Sequence, residues 1–329
     1  MMLYRWVLSL TLTVVFSATS AAIAQEKLRL AWAGLSPAHG PIWVIEDRKL
    51  LQKQGVTPEI LAINASPTVV QALLANEIEA ASISVTTLTT SRLAGFDTIM
   101  IVGIVPTFVD HIVSVSSITA VEQLKGKTGG VNRLGSTSDL GLRLALKKLG
   151  VDPDLDVKII STGGTAERFA ALSKGITQFT IMPEPFLTQA ERLGFRNLYN
   201  ISGLKIPFWW NGILSREAII KTKRPLMLKL ARAVVEAIHI IKSEKEYAKA
   251  IFKKNLGVAD SEGLERAYKE YSSVFQEMPY PTPDGVKTML DDMAVKTPKA
   301  ASADPRTYVD LSLIKEIEAS GLIRQLYRK

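Results

Sequence analysis

The chain has 329 residues, with 40 Lys and Arg against 32 Asp and Glu, a net charge of +8 and no cysteine. Without cysteine there can be no disulfide framework, no zinc–thiolate site, no thiol nucleophile and no lipid-bearing cysteine of an exported lipoprotein. The basic residues are scattered, with no run of five or more, which argues against nucleic-acid binding and for a soluble basic surface.

Arg5 is the only charge ahead of an apolar stretch of 11 residues, Trp6–Phe16, and small residues then lead to Ala22-Ile23-Ala24. This is the plan of a cleavable export signal, with Gln25 as the first mature residue. A bilayer span would need roughly 20 apolar residues, so a membrane anchor is not expected. Removal of residues 1–24 leaves 305, enough for one large or two medium domains, with a charge of about +7. A freely diffusing periplasmic protein is expected.

From Lys27 to Val105 the pattern alternates strand and helix. Lys27–Trp32 alternates as a strand, breaks at Gly34-Leu35-Ser36-Pro37 and restarts as a helix near Pro41. Pro58–Ala62 is a second strand, broken at Asn64–Pro67, where Ser66 is placed as N-cap with Pro67 at the first helical position. Glu79–Ile83 follows as a third strand, and Thr98–Val105 is a continuous apolar run suited to a central strand. A second series comprises strands at Val113–Val115, Thr128–Val131, Val157–Ile160 and Ile176–Ile181. Its helices open at Gly135–Ser138, Thr165 and Pro185, and Leu142, Ala145, Leu146 and Leu149 form the buried stripe of the first. Ala72–Ile83 overlays Ala170–Ile181 at an offset of 98, with identities at Ala72/Ala170, Leu74/Leu172, Ile78/Ile176 and Ile83/Ile181. Two similar lobes are therefore expected rather than one long sheet. Beyond Ile206 one strand (208–214) is followed by helices at 225–243, 244–255, 261–276, 283–296 and 308–320.

Several stretches together carry a resemblance: Gly34-Leu35-Ser36-Pro37 with Pro41–Val44, Ser66-Pro67 with Gln71–Ala81, Leu124–Lys127 before a glycine-rich strand, and Met182-Pro183-Glu184-Pro185 before a helix. In order and spacing, from about Lys27 to Ile241, they resemble the periplasmic solute-binding proteins of ABC importers. The likeness is to the nitrate/sulfonate/taurine type, which shares its fold with thiamine-pyrimidine binders. One departure is Arg48-Lys49, where that family usually has glycine. The resemblance implies an α/β, two-lobed periplasmic binding protein fold of type II, each lobe a mainly parallel sheet flanked by helices. Lobe one would comprise 25–108 and 207–329, lobe two 109–206, with the helical tail packed on lobe one. It also implies a monomer that closes on a small-molecule ligand and docks on an inner-membrane ABC permease with its ATPase. No cofactor and no catalysis are implied.

Loops after strand ends and before helices are where open α/β sheets bind ligands, and helix amino termini hold anions without a buried side-chain charge. On that ground Ser36, Ser66, Ser136 and Thr137 are candidate ligand contacts, each with the plain alternative of capping its own helix. Ser84 and Thr86 follow the third strand; Arg133 precedes the glycine turn; Glu184 either accepts from a ligand amine or caps the helix after Pro185. His39 is expected to line the cleft without chemistry, because three isolated histidines do not make a metal site. In Phe208-Trp209-Trp210, strand alternation sends at most one Trp to the ligand, and Trp209 is the candidate. The expected ligand is a small organic anion such as a sulfonate or carboxylate. A neutral pyrimidine-like solute, a cofactor-pathway enzyme on the same fold and a sensor partner are the alternatives.

Overall fold

The computed structural model describes residues 26–63, 66–295 and 297–328. Its first sheet is built from β1 (Glu26–Trp32), β2 (Val56–Ala62), β3 (Ala80–Ile83) and β4 (Thr98–Val105), with helices α1 (Gly40–Asp47), α2 (Ser66–Leu74) and α3 (Val85–Leu93) between them. The chain then enters a second sheet: β5 (Asp110–Ser114), β6 (Thr128–Val131), α4 (Thr137–Lys148), β7 (Lys158–Ser161), α5 (Thr165–Ser173), β8 (Phe179–Pro183), α6 (Phe186–Arg192) and β9 (Arg196–Asn200). It returns to the first sheet through β10 (Asn211–Arg216). Helices α7 (Glu217–Thr222), α8 (Arg224–Ser243), α9 (Lys245–Leu256) and α10 (Ser261–Val274) follow, then α11 (Asp284–Ala294), α12 (Pro298–Ala301), α13 (Ser312–Ala319) and α14 (Leu322–Tyr327).

The strand orders are β2-β1-β3-β10-β4 and β7-β6-β8-β5-β9. In each sheet one strand runs against its neighbours, and in each it is the strand that follows a crossing between lobes: β10 opposes β3 and β4, and β5 opposes β8 and β9. The two sheets therefore share one plan. The repeated sequence at an offset of 98 falls on α2–β3 and α5–β8, which occupy equivalent places in it. Every residue of β4 is buried, as its unbroken apolar run requires of a strand covered on both faces.

Several elements depart from the sequence reading. β8 begins at Phe179 rather than Ile176, which is 56 % exposed just beyond α5. β9 was not expected; Arg196-Asn197-Leu198-Tyr199-Asn200 is a half-exposed edge strand with little apolar pattern. β5 begins at Asp110, three residues earlier than expected. At Lys49 the backbone has φ 54, the left-handed conformation that glycine adopts without strain. The chain reverses after α1 there despite lacking glycine.

The two crossings lie side by side. Phe208 N–H donates to Pro106 O (3.1 Å) and Trp210 N–H to Val105 O (2.9 Å), while the Thr107 hydroxyl donates to Ile206 O (3.2 Å). Phe108 and Phe208 stack there with centroids 4.1 Å apart. Most tail helices pack on the first lobe, with α8 against α1 and α11 against α3. α10 differs, since it also packs on α6 of the second lobe.

Candidate functional site

The carboxyl ends of β3 and β6 lead into α3 and α4, whose first turns meet across the lobes. Ser84 precedes α3 with an extended backbone and makes no capping bond to its own helix. Its hydroxyl instead accepts from Thr137 Oγ1 of α4 (2.9 Å), and Thr86 Oγ1 lies 3.4 Å from the same atom. First-turn amides have no intrahelical partner. Val85 N–H donates to Trp209 O (3.0 Å), but those of Thr86, Thr87, Thr137 and Ser138 find no acceptor among the described residues. Four amide donors, two from each lobe, are thus left unpaired on helices joined by the Ser84–Thr137 hydroxyl bond. Ser136 caps α4, accepting weakly from Asp139 N–H (3.4 Å). The Asp139 carboxylate accepts from Gly135 N–H (2.8 Å) and Arg143 Nε (2.7 Å), and so offsets part of the positive end of α4. Arg133 is exposed, and its guanidinium makes no bond among the described residues. The Ser66 side chain lies outside the described residues.

Beside this rim sits a polar but uncharged knot. His39 ends a short 3-10 turn, Pro37–His39, and is 1 % exposed. Its Nε2 faces Ala33 O at 2.9 Å; a carbonyl can only accept, so Nε2 carries the proton and Nδ1 is an acceptor. Asn211 Nδ2 donates to Ala38 O (2.9 Å) and lies 3.3 Å from His39 Nδ1. Ser82 Oγ, 3.1 Å from the same nitrogen, donates to Asn211 Oδ1 (3.1 Å). Burial lowers the His39 pKa to about 4 against one raising bond from Ala33, so the ring is neutral at pH 7. The half-buried Trp32 and Trp210 flank it, at centroid distances of 5.3 and 6.4 Å. Ser36 is 2 % exposed, accepting from Ala38 N–H (3.3 Å) and bonding the Tyr271 hydroxyl of α10 (3.0 Å).

Of the crossover tryptophans, Trp209 turns inward. Its Nε1 donates to Thr282 O (2.8 Å), and a Cβ added at Gly103 or Gly285 would stand 2.3 or 2.7 Å from its ring. Both glycines make room for the indole. The half-buried ring is Trp210, whose Nε1 donates to Asp110 Oδ2 (3.0 Å). Alternation holds, but with the opposite sense to that expected.

Glu184 is 2 % exposed and caps the first turn of α6: Oε2 accepts from Thr188 N–H (3.2 Å) and Oγ1 (2.8 Å). Its other oxygen pairs with Arg266 Nε of α10 (2.7 Å). Burial pushes this carboxyl up, against the pull of Thr188 and Arg266. Arg266 also pairs with Glu191, Arg192 with Asp260 and Glu262, and His111 with Glu270 (3.2 Å). These lobe-two links to α10, and Asp110, were missed as site features. Their partners lie 68 to 159 residues apart, and no local spacing announces them. Among the described residues no group of three or more His, Asp or Glu could hold a metal ion.

Two five-stranded α/β lobes joined by paired crossings, with polar rims meeting at strand carboxyl ends, define the periplasmic binding protein fold. The family model described as NMT1/THI5 like matches residues 36–248, and the chain belongs to that family. No curated protein sequence matches the chain significantly. Solved structures share the fold at low identity. The aliphatic sulphonate binding protein SsuA of Escherichia coli is 19% identical at a TM-score of 0.69, covering 87% of this chain and 92% of that one. The nitrate-binding protein NrtA of Synechocystis PCC 6803 is 14% identical at 0.72, covering 90% and 89%. A protein of Bordetella bronchiseptica RB50 is 17% identical at 0.74, covering 89% and 97%.

Proposed function

We propose that the protein is a non-catalytic extracytoplasmic receptor: exported by its leader, it captures a small organic anion between two closing lobes and delivers it to an ABC permease. The carrying observation is the meeting of the α3 and α4 first turns, joined by the Ser84–Thr137 bond, where the amides of Thr86, Thr87, Thr137 and Ser138 have no acceptor among the described residues. Such amides hold an oxyanion without a buried cation. The lobes would be residues 25–108 with 207–329, and 109–206, working as a monomer that hinges at the paired crossings. Ser84, Thr86 and Thr137 are the first contacts, with Ser136 shaping the α4 turn and Arg133 free to reach an acidic group. Binding in the periplasm fits the leader, and no helix among the described residues is long and apolar enough to cross a membrane.

A second reading, a neutral planar solute such as a pyrimidine, is favoured by the half-buried rings of Trp32 and Trp210, which flank the buried, uncharged His39. A thermal-shift screen of sulfonates, nitrate, carboxylates and pyrimidines separates them. Ligand at 100 times its Kd adds about 2.7 kcal/mol to the folded form. Stabilisation by anions, lost in Ser84→Ala/Thr137→Ala, is expected; stabilisation by pyrimidines alone would select the second reading. Turnover of any of these compounds would overturn the receptor reading.

A further inference from the structure

α10 belongs to the tail yet lies across both lobes. On the lobe-one side the Tyr271 hydroxyl bonds Ser36 (3.0 Å), Lys242 Nζ of α8 donates to Ser272 O (2.8 Å) and Lys245 Nζ of α9 pairs with Glu265 (2.6 Å). On the other side its ion pairs reach lobe two: Asp260 to Arg192 of α6 (2.9 Å), Arg266 to Glu184 (2.7 Å) and Glu270 to His111 of β5 (3.2 Å). The first set fastens α10 to lobe one, so a parting of the lobes must break the second. This seam buries polar atoms without filling them: His111 Nδ1, Glu270 Oε2 and Asp260 Oδ2 are buried with no hydrogen-bond partner. Such atoms are costly while dry and regain water when the seam opens. A permanent seam is often as stable or more so with apolar residues in place of such pairs. This one is made of groups that gain hydration on parting.

His111 is the member of this seam that changes charge near neutral pH. It is surrounded by Glu270 of α10, Glu184 just after β8 and Asp110 beside it in β5. The nearby cations are turned to other groups, Arg266 to Glu184 and Glu191, and Arg192 to Asp260 and Glu262, while Arg168 acts on Asp110. Its cross-strand neighbours, Met182 and Asn200, carry no charge. Burial alone would lower the His111 pKa, but Glu270, Glu184 and Asp110 raise it above 6.5. Opening withdraws Glu270 and wets the ring, which returns it toward 6.5. The closed form therefore binds the proton more tightly, an advantage whole below pH 6.5 and lost as pH climbs through the raised value. Burial also pushes Glu184 up, which acts with the same sign at lower pH. His39 does not enter, since its partners Ala33, Ser82 and Asn211 all belong to lobe one. We propose that α10 is a proton-dependent clasp: with His111 charged it ties lobe two to lobe one and favours the closed form, and loss of that proton eases opening and release of solute. The inference rests on the hinge of the receptor reading and adds what sets its resting position.

The test uses the full chain without solute, spin-labelled at Thr90→Cys on α3 and Lys147→Cys on α4, both exposed positions. Pulsed electron-spin measurements at pH 6 and pH 9 give the ratio of short, closed distances to long, open ones. That ratio changes tenfold for each unit by which the His111 pKa differs between the two forms, and it should fall about threefold or more toward pH 9. His111→Gln should show the alkaline ratio of the unsubstituted chain at both pH values. Glu270→Gln should lose most of the change. Cooperative melting of each variant checks its fold, and if one fails to fold the other decides. A ratio that is the same at both pH values before substitution, or a change that persists in either folded variant, would overturn the inference. If a solute closes the lobes while pH does not move them, the clasp falls alone. A pH effect of this kind with no solute able to close the lobes would uphold the clasp and count against the receptor reading.

Discussion

His39 illustrates how a single buried side chain sets a pH response. Its folded pKa is lowered from 6.5 to about 4 by burial, so the unfolded chain binds the proton more tightly. The stabilisation from keeping it neutral is whole above pH 6.5 and is lost as pH falls from there toward 4. At about 1.4 kcal/mol per unit, the full loss is about 3.4 kcal/mol. Urea denaturation at pH 7.5 and 4.5 should show the wild type losing about 2 kcal/mol more than His39→Gln; parallel losses would place His39 outside this role. Trp209 answers a packing question at the same scale. Trp209→Ala removes the largest side chain between Gly103 and Gly285 and should cost about 3–5 kcal/mol, with m unchanged. A cost below 1 kcal/mol would mean the indole is not core. Neither glycine lies near Trp209 in the sequence, so the alternation of the two tryptophans was readable there and its sense was not.

At the scale of elements, α10 is the helix whose role the sequence hid. A helix was expected at 261–276, and Ser261–Val274 is close to those bounds. Nothing local revealed that Arg266 and Glu270 reach lobe two, because their partners Glu184, Glu191 and His111 come from distant strands and turns. Gly263 lets α10 approach α6, where an added Cβ would stand 2.9 Å from Pro185 Cβ. Arg266→Ala would leave Glu184 buried without its partner, at a cost of about 1–3 kcal/mol. Hydrogen exchange should quicken in α6 and α10 together; quickening in α10 alone would show that the helix does not fasten the lobes. For His111, burial alone would lower the pKa, but Glu270, Glu184 and Asp110 raise it above 6.5. This pair therefore stabilises fully below pH 6.5 and weakens as pH climbs through the raised value, opposite in sense to His39. Glu270→Gln should abolish the alkaline part of that dependence. An NMR titration of His111 that does not move downward in the variant would contradict the pairing. Strand β4 and helix α4 were legible because one is a continuous buried run and the other a clean amphipathic stretch. β9 escaped because edge strands bury too little to impose a pattern.

For the whole molecule, the doubled plan matters most. Two sheets with one strand order are joined by crossings that lie side by side, the line about which the proposed closure would turn. The internal echo at an offset of 98 foretold that doubling, since equivalent α–β units must bury equivalent faces. The polar contacts between the lobes include Ser84 and Thr86 with Thr137, Trp210 with Asp110, and the ion pairs of α10. A ligand shifts such an equilibrium only by binding both lobes.

The absence of cysteine allows spin labels to be placed at will. Thr90→Cys on α3 and Lys147→Cys on α4 are exposed positions on the two helices whose first turns meet. Pulsed electron-spin distance measurements on this doubly labelled protein, with and without a solute that raises its melting point, test lobe closure directly. Capture between the lobes predicts a broad or longer distance without solute and a single shorter one with it. A distribution that stays the same at saturating solute would contradict closure around a ligand.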